Sequence, residues 1–297
     1  MKIKGYFLAS ISAVTYGLIP LFMLPIKAIH FSIDVTLAYR FLISSFFVLA
    51  LVIFKKESLK VSLSELSVLI VLGFLFALSS ECLFLAYDYL SAGIASTILF
   101  VYPVFVAIIM AVFFREKIAR ITVFSLAVTL AGIYLLSTRE SLLDINYTGL
   151  LIALSSALFY AVYIVTVNKA RLSASGIKIT FYSLLFSGVF YLVKSLVSNE
   201  SLLLPNVQLF LNITLFGLTT SLVAIITLVY AIKIIGSTPT AIMGALEPVI
   251  AVAISVVLFQ EKFTHTLAIG ITLILTGVII NILAESRKEL GTSGTGN

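Results

Sequence analysis

Long apolar runs separated by short polar stretches make up most of this sequence. A helix needs about 20 apolar residues to cross the hydrocarbon core of a membrane, and ten runs come close to that length. The predicted spans are 5–24, 33–54, 66–87, 92–114, 119–137, 147–168, 177–197, 207–231, 237–259 and 264–284. The pattern therefore predicts an all-α integral membrane protein with ten transmembrane helices.

Composition favours the same class of protein. Hydrophobic residues make up 61% of the chain and charged residues 11%, and the mean hydropathy is +1.20. Soluble domains carry about 25% charged residues, so most of this surface must face a lipid bilayer. The net charge of +6 is typical of cytoplasmic loops rich in Lys and Arg, and we expect no nucleic-acid partner. The single Cys82 excludes an intrachain disulfide and a Cys-rich metal site.

Loop charge predicts the orientation of the chain. If the N-terminus is cytoplasmic, most of the 19 Lys and Arg residues fall on the cytoplasmic side of the ten spans. The segments 55–60 and 115–120 each place three of them there. Since positive charge is enriched in cytoplasmic loops, we expect both termini to be cytoplasmic.

The first half of the sequence recurs in the second half at an almost constant spacing. At offsets of 144 or 145 positions, several Pro, Gly, Tyr and Glu-Lys positions match. The matches include Pro103 with Pro248, Glu116-Lys117 with Glu261-Lys262, Gly132 with Gly277, and Tyr16 with Tyr160; Tyr102 then corresponds to Glu247. Matches in two separate regions at nearly one offset are not expected by chance. We expect repeats at 1–140 and 141–286 and a flexible polar tail at 287–297.

Each predicted repeat contains five spans, and an odd number inverts the second repeat in the membrane. Glu116-Lys117 would then face the cytoplasm and Glu261-Lys262 the outside. Secondary transporters use such inverted repeats, whose halves are related by a pseudo-two-fold axis in the membrane plane. Rocking of two similar halves can present one central site to either side of the membrane in turn.

Two matching segments carry a family resemblance that extends over residues 5–284. YPVFVAIIMAVFFREK in the first half and EPVIAVAISVVLFQEK in the second resemble the EamA family of the drug/metabolite transporter superfamily. The resemblance implies transport of amino acids, their derivatives or other small metabolites, often outward. It also implies a multi-pass protein of a prokaryotic inner membrane. The family has no invariant catalytic signature, so the resemblance leaves the substrate open.

Four residues near the middle of their spans are candidates for a central site: Tyr16, Tyr102, Tyr160 and Glu247. The repeat pairs Tyr16 with Tyr160 and Tyr102 with Glu247, and a site between inverted repeats lies at this depth. Tyrosine offers a stacking face and a hydroxyl group to a small solute. The alternative for any one tyrosine is simple packing with a satisfied hydroxyl.

Glu247 is the only charged residue of the run 237–259, and Pro248 follows it directly. Proline disrupts the helical hydrogen-bond ladder, so we expect helix bends at Pro248 and at its equivalent Pro103. A carboxylate within the membrane marks a functional site by default. Glu247 would bind a substrate amine or carry a coupling proton, because a low-dielectric surrounding favours reversible protonation. The alternative is a structural carboxylate bonded to a neighbouring helix.

Arg40 and Glu81 form a second candidate pair. Both lie about 10 Å below the predicted outer boundary, at 1.5 Å per residue, on neighbouring spans. Because a charge at this depth needs a partner, we expect an ion pair. It would fix the helix register or act as an outer gate; alternatively, Arg40 would hold a substrate carboxylate.

The sequence lacks P-loop, nucleophile-elbow and HExxH signatures, which argues against ATP hydrolysis and the common hydrolase mechanisms. We expect no enzyme activity, cofactor or metal. The prediction is a secondary transporter of small organic metabolites, with amino acids or related compounds exported. Alternatives are an uptake carrier, a channel and an intramembrane enzyme. The expected partners are a small-molecule substrate, the lipid bilayer and a coupling proton, in a monomer or homodimer.

Overall fold

A computed structural model describes residues 2–90, 95, 98–116, 118–137, 146–170, 172–258 and 265–293. Within these ranges the regular structure is helical and contains no β-strand. The helices are α1 Lys2–Tyr16, α2 Ile19–Ala28, α3 Ile33–Phe54, α4 Leu63–Ala86, α5 Tyr102–Phe114, α6 Arg120–Ser137, α7 Tyr147–Lys169, α8 Gly176–Val197, α9 Val207–Gly217, a π-helix Leu218–Val223, α10 Ala224–Ile235, α11 Ser237–Met243, α12 Leu246–Leu258 and α13 His265–Ser293.

Six helical segments of the described chain are long and apolar enough to cross a membrane: Lys2–Met23, Ile33–Phe54, Leu63–Ala86, Tyr147–Lys169, Gly176–Val197 and Val207–Ile235. Three shorter apolar helices accompany them: Tyr102–Phe114, Arg120–Leu135 and Ala268–Asn281. The chain is therefore a multi-pass membrane protein. Residues 92–94 and 96–97 of predicted span four lie outside the described residues, as do Lys117, Glu261 and Lys262.

Polar residues just before the helices explain where several of them begin. Ser32 accepts a hydrogen bond from the Val35 backbone at the start of α3. Ser62 and Glu65 form a reciprocal capping box at the start of α4. These side chains satisfy backbone N–H groups that have no partner within the helix, and they fix the loop ends of otherwise apolar helices.

Glycines allow α6 and α13 to lie almost in backbone contact. A Cβ atom on Gly132 would come within 2.7 Å of the Gly270 carbonyl oxygen, and one on Gly277 within 2.9 Å of the Ser125 carbonyl oxygen. The Ser125 hydroxyl also donates to the Gly277 carbonyl at 2.7 Å. Small residues with interhelical hydrogen bonds are the usual means of close packing in membranes.

Two tyrosines make the same kind of hydrogen bond from different parts of the chain. The Tyr39 hydroxyl on α3 donates to the Leu202 carbonyl at 2.9 Å. The Tyr182 hydroxyl on α8 donates to the Leu59 carbonyl at 2.8 Å. Each bond joins a long helix of one half to the loop after a long helix of the other half.

The N-cap serines of α3 and α8 also donate hydrogen bonds to a loop of the opposite half of the chain. The Ser32 hydroxyl donates to Glu200 Oε2 at 2.6 Å, and the Ser175 hydroxyl donates to Glu57. The two glutamates occupy the same loops as Leu202 and Leu59. Each loop therefore receives a serine and a tyrosine hydroxyl from the opposite half of the chain.

Three helical details differ from the sequence prediction. Predicted span nine is broken at Gly244 and Ala245, between α11 and α12. Predicted span eight contains the π-helix and continues to Ile235. Helix α13 extends to Ser293, into the segment 287–297 for which the sequence predicts a flexible tail.

Candidate functional site

The four mid-span residues predicted from the sequence lie together in the interior of the bundle. The rings of Tyr16 and Tyr160 stack with centroids 5.9 Å apart, and Tyr102 meets Tyr160 edge-on at 4.8 Å. The Tyr102 hydroxyl donates a long hydrogen bond to Glu247 Oε1 at 3.5 Å. Helices α1, α5, α7 and α12 thus each contribute one side chain to a continuous cluster.

All four members of this cluster are buried, and their exposed fractions lie between 1% for Tyr102 and 8% for Tyr16. Glu247 is 4% exposed. In the described part of the chain, the buried Tyr160 hydroxyl has no hydrogen-bond partner. Buried polar groups are normally satisfied, so this hydroxyl is an exception among the described residues.

The break between α11 and α12 positions Glu247. The Glu247 backbone N–H donates to the Gly244 carbonyl at 2.9 Å, and α12 restarts with Pro248 in its first turn. The Tyr102 hydroxyl lies directly against Gly244, where a Cβ atom would otherwise stand. Helix α1 also approaches closely, because a Cβ on Gly17 would come within 2.8 Å of the Glu247 carbonyl oxygen.

Both prolines assigned to helix bends lie at helix starts. Pro103 stands in the first turn of α5, as Pro248 does in α12. A proline in the first turn costs little, because its missing N–H would have had no partner there. The interruption of predicted span nine therefore lies just before the proline, at the glycine.

Tyr163 and Phe76 extend the cluster, although we did not single them out in the sequence. Tyr163 lies nearly parallel to Tyr160 at 6.4 Å, and Phe76 packs against Tyr163 at 5.5 Å. Tyr163 follows Tyr160 by three residues, so the two share a helix face. This three-residue spacing from Tyr160 is the sequence signal that would have predicted Tyr163 as a member of the cluster.

A cavity of about 390 Å³ opens at one end of the bundle. Its lining combines apolar side chains with hydroxyl, amide and charged groups: Met110, Glu116, Ile118, Ala119, Thr122, Asn168, Lys169, Ile235, Gly236, Ser237, Thr238, Pro239 and Asn281. Lys169 binds Glu116 at 2.6 Å, and both remain partly exposed. The volume falls within the usual range of small-molecule pockets, about 300–1,000 Å³.

The cavity and the tyrosine cluster share helix α5. Met110 in its wall is eight residues after Tyr102 on α5, which corresponds to about 12 Å along a helix. The Oδ1 atom of Asn281, which is 2% exposed, has no hydrogen-bond partner within the described residues. The sequence prediction did not include this cavity, because its walls come from helix ends that are distant in sequence.

The predicted ion pair between Arg40 and Glu81 is wrong. Glu81 binds the ammonium group of Lys194, which also binds Asp34 at 3.0 Å. Depth along a helix fixes height in the membrane but not the direction of a side chain. Arg40 and Glu81 have similar heights, yet they bind different partners.

Arg40 points towards the π-helix. Its Nε donates to the Ser221 hydroxyl at 2.7 Å, and its Nη2 donates to the Thr220 carbonyl at 3.3 Å. The guanidinium lies over the ring of Phe216 at 4.1 Å and near that of Phe41 at 5.0 Å.

Two matches to one family together cover nearly the whole chain. The EamA-like transporter family matches residues 3–138 and again residues 147–283. The chain belongs to this family. The match confirms the resemblance seen in the two Pro-Val segments, and its members are named as transporters rather than enzymes.

Relatives of this family member come from archaea and bacteria. An uncharacterized transporter of Archaeoglobus fulgidus is 28% identical over 188 residues, which covers 63% of this chain and 66% of that protein. One from Clostridium kluyveri is 24% identical over 243 residues, covering 79% of this chain and 78% of that protein. The uncharacterized transporter YvbV of Bacillus subtilis is 25% identical over 205 residues, covering 68% and 67%.

A solved structure has the same fold. One crystal structure superposes with a TM-score of 0.80 and 18% sequence identity, over 96% of this chain and 98% of that chain. At this identity the likeness shows the fold alone.

Among the described residues, no group of three His, Cys, Asp or Glu side chains could hold a metal ion.

Proposed function

We propose that this EamA-like chain is a secondary transporter that moves small organic metabolites across a prokaryotic inner membrane by alternating access. Amino acids and related compounds are the expected solutes, and export is the expected direction. One observation carries the proposal: residues that the repeat pairs with each other meet in the bundle interior. Tyr16 stacks on Tyr160, and Tyr102 binds Glu247.

The meeting of paired residues supports two inverted repeats of five spans each. A residue and its symmetry mate touch only where they lie beside the axis that relates them. The central cluster would therefore stand on the pseudo-two-fold axis, which is where transporters of this architecture bind their substrates. The two family matches, at 3–138 and 147–283, also support a repeat boundary near residue 140.

The matched hydrogen bonds of the loops support the same symmetry. An offset of 143 positions relates Tyr39 to Tyr182, and the same offset relates Leu59 to Leu202. The bond from Tyr39 to Leu202 therefore corresponds to the bond from Tyr182 to Leu59. In an inverted repeat these two bonds lie at opposite ends of the bundle. Opening one end of the bundle would break the bond at that end while the other bond remains. The two bonds would therefore hold opposite ends closed in turn as the conformation changes.

The one-sided cavity indicates how a solute would enter. In the predicted orientation, with both termini cytoplasmic, the Glu116–Lys169 pair marks the cytoplasmic mouth. A solute would descend past Met110 to the tyrosines. There it would stack on Tyr16 or Tyr160, use the unpartnered Tyr160 hydroxyl, and present a donor to Glu247. Glu247 would bind a substrate amine or exchange a coupling proton.

Counterflow in proteoliposomes tests the proposal. Purified protein would first be screened with metabolite pools for an increase in melting temperature, and stabilising compounds would then be tested as radiolabelled solutes. We expect saturable accumulation of unchanged labelled solute against a preloaded unlabelled pool. Chemically altered product would contradict a carrier, and flux without counterflow would indicate a channel.

A further inference from the structure

Arg40 is a charged side chain in the bundle interior, and its partners among the described residues are neutral. It is 2% exposed, and it lies within the membrane-spanning segment Ile33–Phe54. Its partners are the Ser221 hydroxyl, the Thr220 carbonyl and two phenylalanine rings. Within the described residues, no carboxylate forms an ion pair with the guanidinium.

A buried cation without a counter-ion is costly. The desolvation cost of one ion amounts to several kcal/mol even after relaxation, and hydrogen bonds to neutral groups offset only part of it. A guanidinium carries five N–H donors, and two of them donate to atoms of the described residues. The group thus keeps both a net positive charge and donor capacity.

The backbone around Arg40 is shaped to receive it. In the π-helix Leu218–Val223, hydrogen bonds join residues five apart, so the regular α-helical ladder is interrupted. The Thr220 carbonyl in this segment accepts from Arg40. Single-turn π-helices occur frequently at functional sites, and interrupted backbone in a membrane is tolerated where it faces protein or a cavity.

Close packing holds α3 against this segment. A Cβ on Gly217 would come within 2.8 Å of both the Arg40 carbonyl oxygen and the Ser44 hydroxyl oxygen. Gly217 directly precedes the π-helix, so the Arg40 side chain can emerge beside Thr220 and Ser221. The aromatic ring of Phe216, one residue earlier, covers one face of the guanidinium.

Arg40 lies near the proposed substrate site. Its guanidinium is 5.0 Å from the centre of the Phe41 ring, and Phe41 meets Phe76 edge-on at 5.4 Å. Phe76 in turn packs against Tyr160 of the central cluster at 6.5 Å, so two aromatic rings join Arg40 to that cluster. Arginine recognises planar carboxylates through two parallel hydrogen bonds, which suits the donors that Arg40 still has.

We propose that Arg40, held by the π-helix, binds the carboxylate of a small organic anion or zwitterion in the central site. This inference rests on the proposed transport function, since it names a chemical feature of the transported solute. In this arrangement the bound carboxylate replaces the missing counter-ion. The empty protein keeps an uncompensated charge, and the occupied protein has none.

Ligand-dependent melting of the detergent-solubilised full chain tests the proposal. The probes are benzoate with its carboxamide, benzamide, and acetate with acetamide, each added to wild type, Arg40→Met and Lys55→Met. Lys55, exposed at the end of α3, controls for net charge. We expect the carboxylates to raise the melting temperature of wild type and Lys55→Met, while the carboxamides and chloride do not. Arg40→Met should lose the carboxylate effect.

The variants also separate a ligand site from a structural role. Arg40→Met removes the desolvation cost of a buried ion, which is several kcal/mol, so unliganded Arg40→Met should melt no lower than wild type. If Arg40→Met does not fold, Arg40→Lys keeps a charge without the planar fork, and benzoate should bind it about 10-fold or more weakly.

Several results would overturn the proposal. These are equal protection of wild type by benzoate and benzamide, protection by chloride alone, protection of Arg40→Met as strong as that of wild type, and absence of protection by any carboxylate. Counterflow is read separately. If wild type is protected by carboxylates but shows no counterflow of any solute, the transport proposal fails while the anion site stands.

Discussion

Tyr102 donates a hydrogen bond to Glu247, although 145 positions separate the two residues. The same separation relates Pro103 to Pro248 and Gly132 to Gly277 in the sequence. The two residues thus occupy corresponding positions in the sequences of the two proposed repeats, yet one is a tyrosine and the other a carboxylic acid. In the proposed repeats these matching positions carry an asymmetric donor–acceptor pair. Tyr102 gives Glu247 a hydrogen-bond partner, and no described residue forms an ion pair with Glu247.

Replacing Glu247 by glutamine should stop or uncouple transport while the protein still folds. Glutamine has nearly the same shape and can still accept from Tyr102, but it cannot ionise or pair with a cationic group. We expect the counterflow rate to fall by about 10-fold or more, the scale of a lost charge-assisted hydrogen bond. The melting temperature should stay close to that of wild type.

Asp88→Asn provides the matched control, because Asp88 is an exposed acid at the end of α4. Its substitution should leave counterflow unchanged. Full activity of Glu247→Gln with an unaltered dependence on pH would remove Glu247 from the mechanism.

A methyl group on Gly244 should displace Tyr102 from Glu247. The Tyr102 hydroxyl occupies the place that the Cβ of alanine would take, so Gly244→Ala overpacks the contact. Overpacking typically costs about 1–3 kcal/mol, and we expect a lower melting temperature together with reduced counterflow.

Ala253→Val, on an exposed position of α12, adds carbon atoms to a neighbouring helix without this clash. It should leave both properties unchanged. Tyr102→Phe removes the clashing hydroxyl, so the double variant with Gly244→Ala should recover part of the lost stability. Equal stability of Gly244→Ala and wild type would show that the two groups are not in contact.

Double-mutant cycles should assign Glu81 to Lys194 rather than to Arg40. Residues in direct contact show coupling energies of about 0.5–3 kcal/mol, whereas separated residues add within about 0.5 kcal/mol. We therefore expect coupling between Lys194→Met and Glu81→Gln, and additivity between Arg40→Met and Glu81→Gln. The measurement is the free energy of unfolding in detergent, and coupling between Arg40 and Glu81 would contradict the observed contacts.

The sequence allowed the central cluster to be predicted because position within a span gives depth in the membrane, and internal repetition shows which residues correspond. Tyr16, Tyr102, Tyr160 and Glu247 share a height, and the repeat pairs them. It did not allow the partners of Arg40 to be predicted, since the direction of a side chain depends on how each helix is rotated in the bundle.

Two further features had sequence signals that we did not use. Glu57-Ser58-Leu59 recurs as Glu200-Ser201-Leu202, at an offset of 143 that is slightly shorter than elsewhere. These are the loops that receive the matched serine and tyrosine hydrogen bonds. The run Thr219-Thr220-Ser221 is rich in hydroxyl groups that can bond to the backbone, yet hydrophobic periodicity alone does not distinguish a π-helix from an α-helix.

The most direct measurement of the inverted arrangement is thiol labelling of the two matched loops. Ser58 and Ser201 are both exposed, and each accepts a hydrogen bond from the backbone two residues later. Single-cysteine variants Ser58→Cys and Ser201→Cys would be made in a Cys82→Ser background and treated with a membrane-impermeant maleimide. Two inverted repeats with cytoplasmic termini predict labelling of Ser201→Cys in intact cells, and of Ser58→Cys only after permeabilisation. Labelling of both positions from the same face of the membrane would contradict the account.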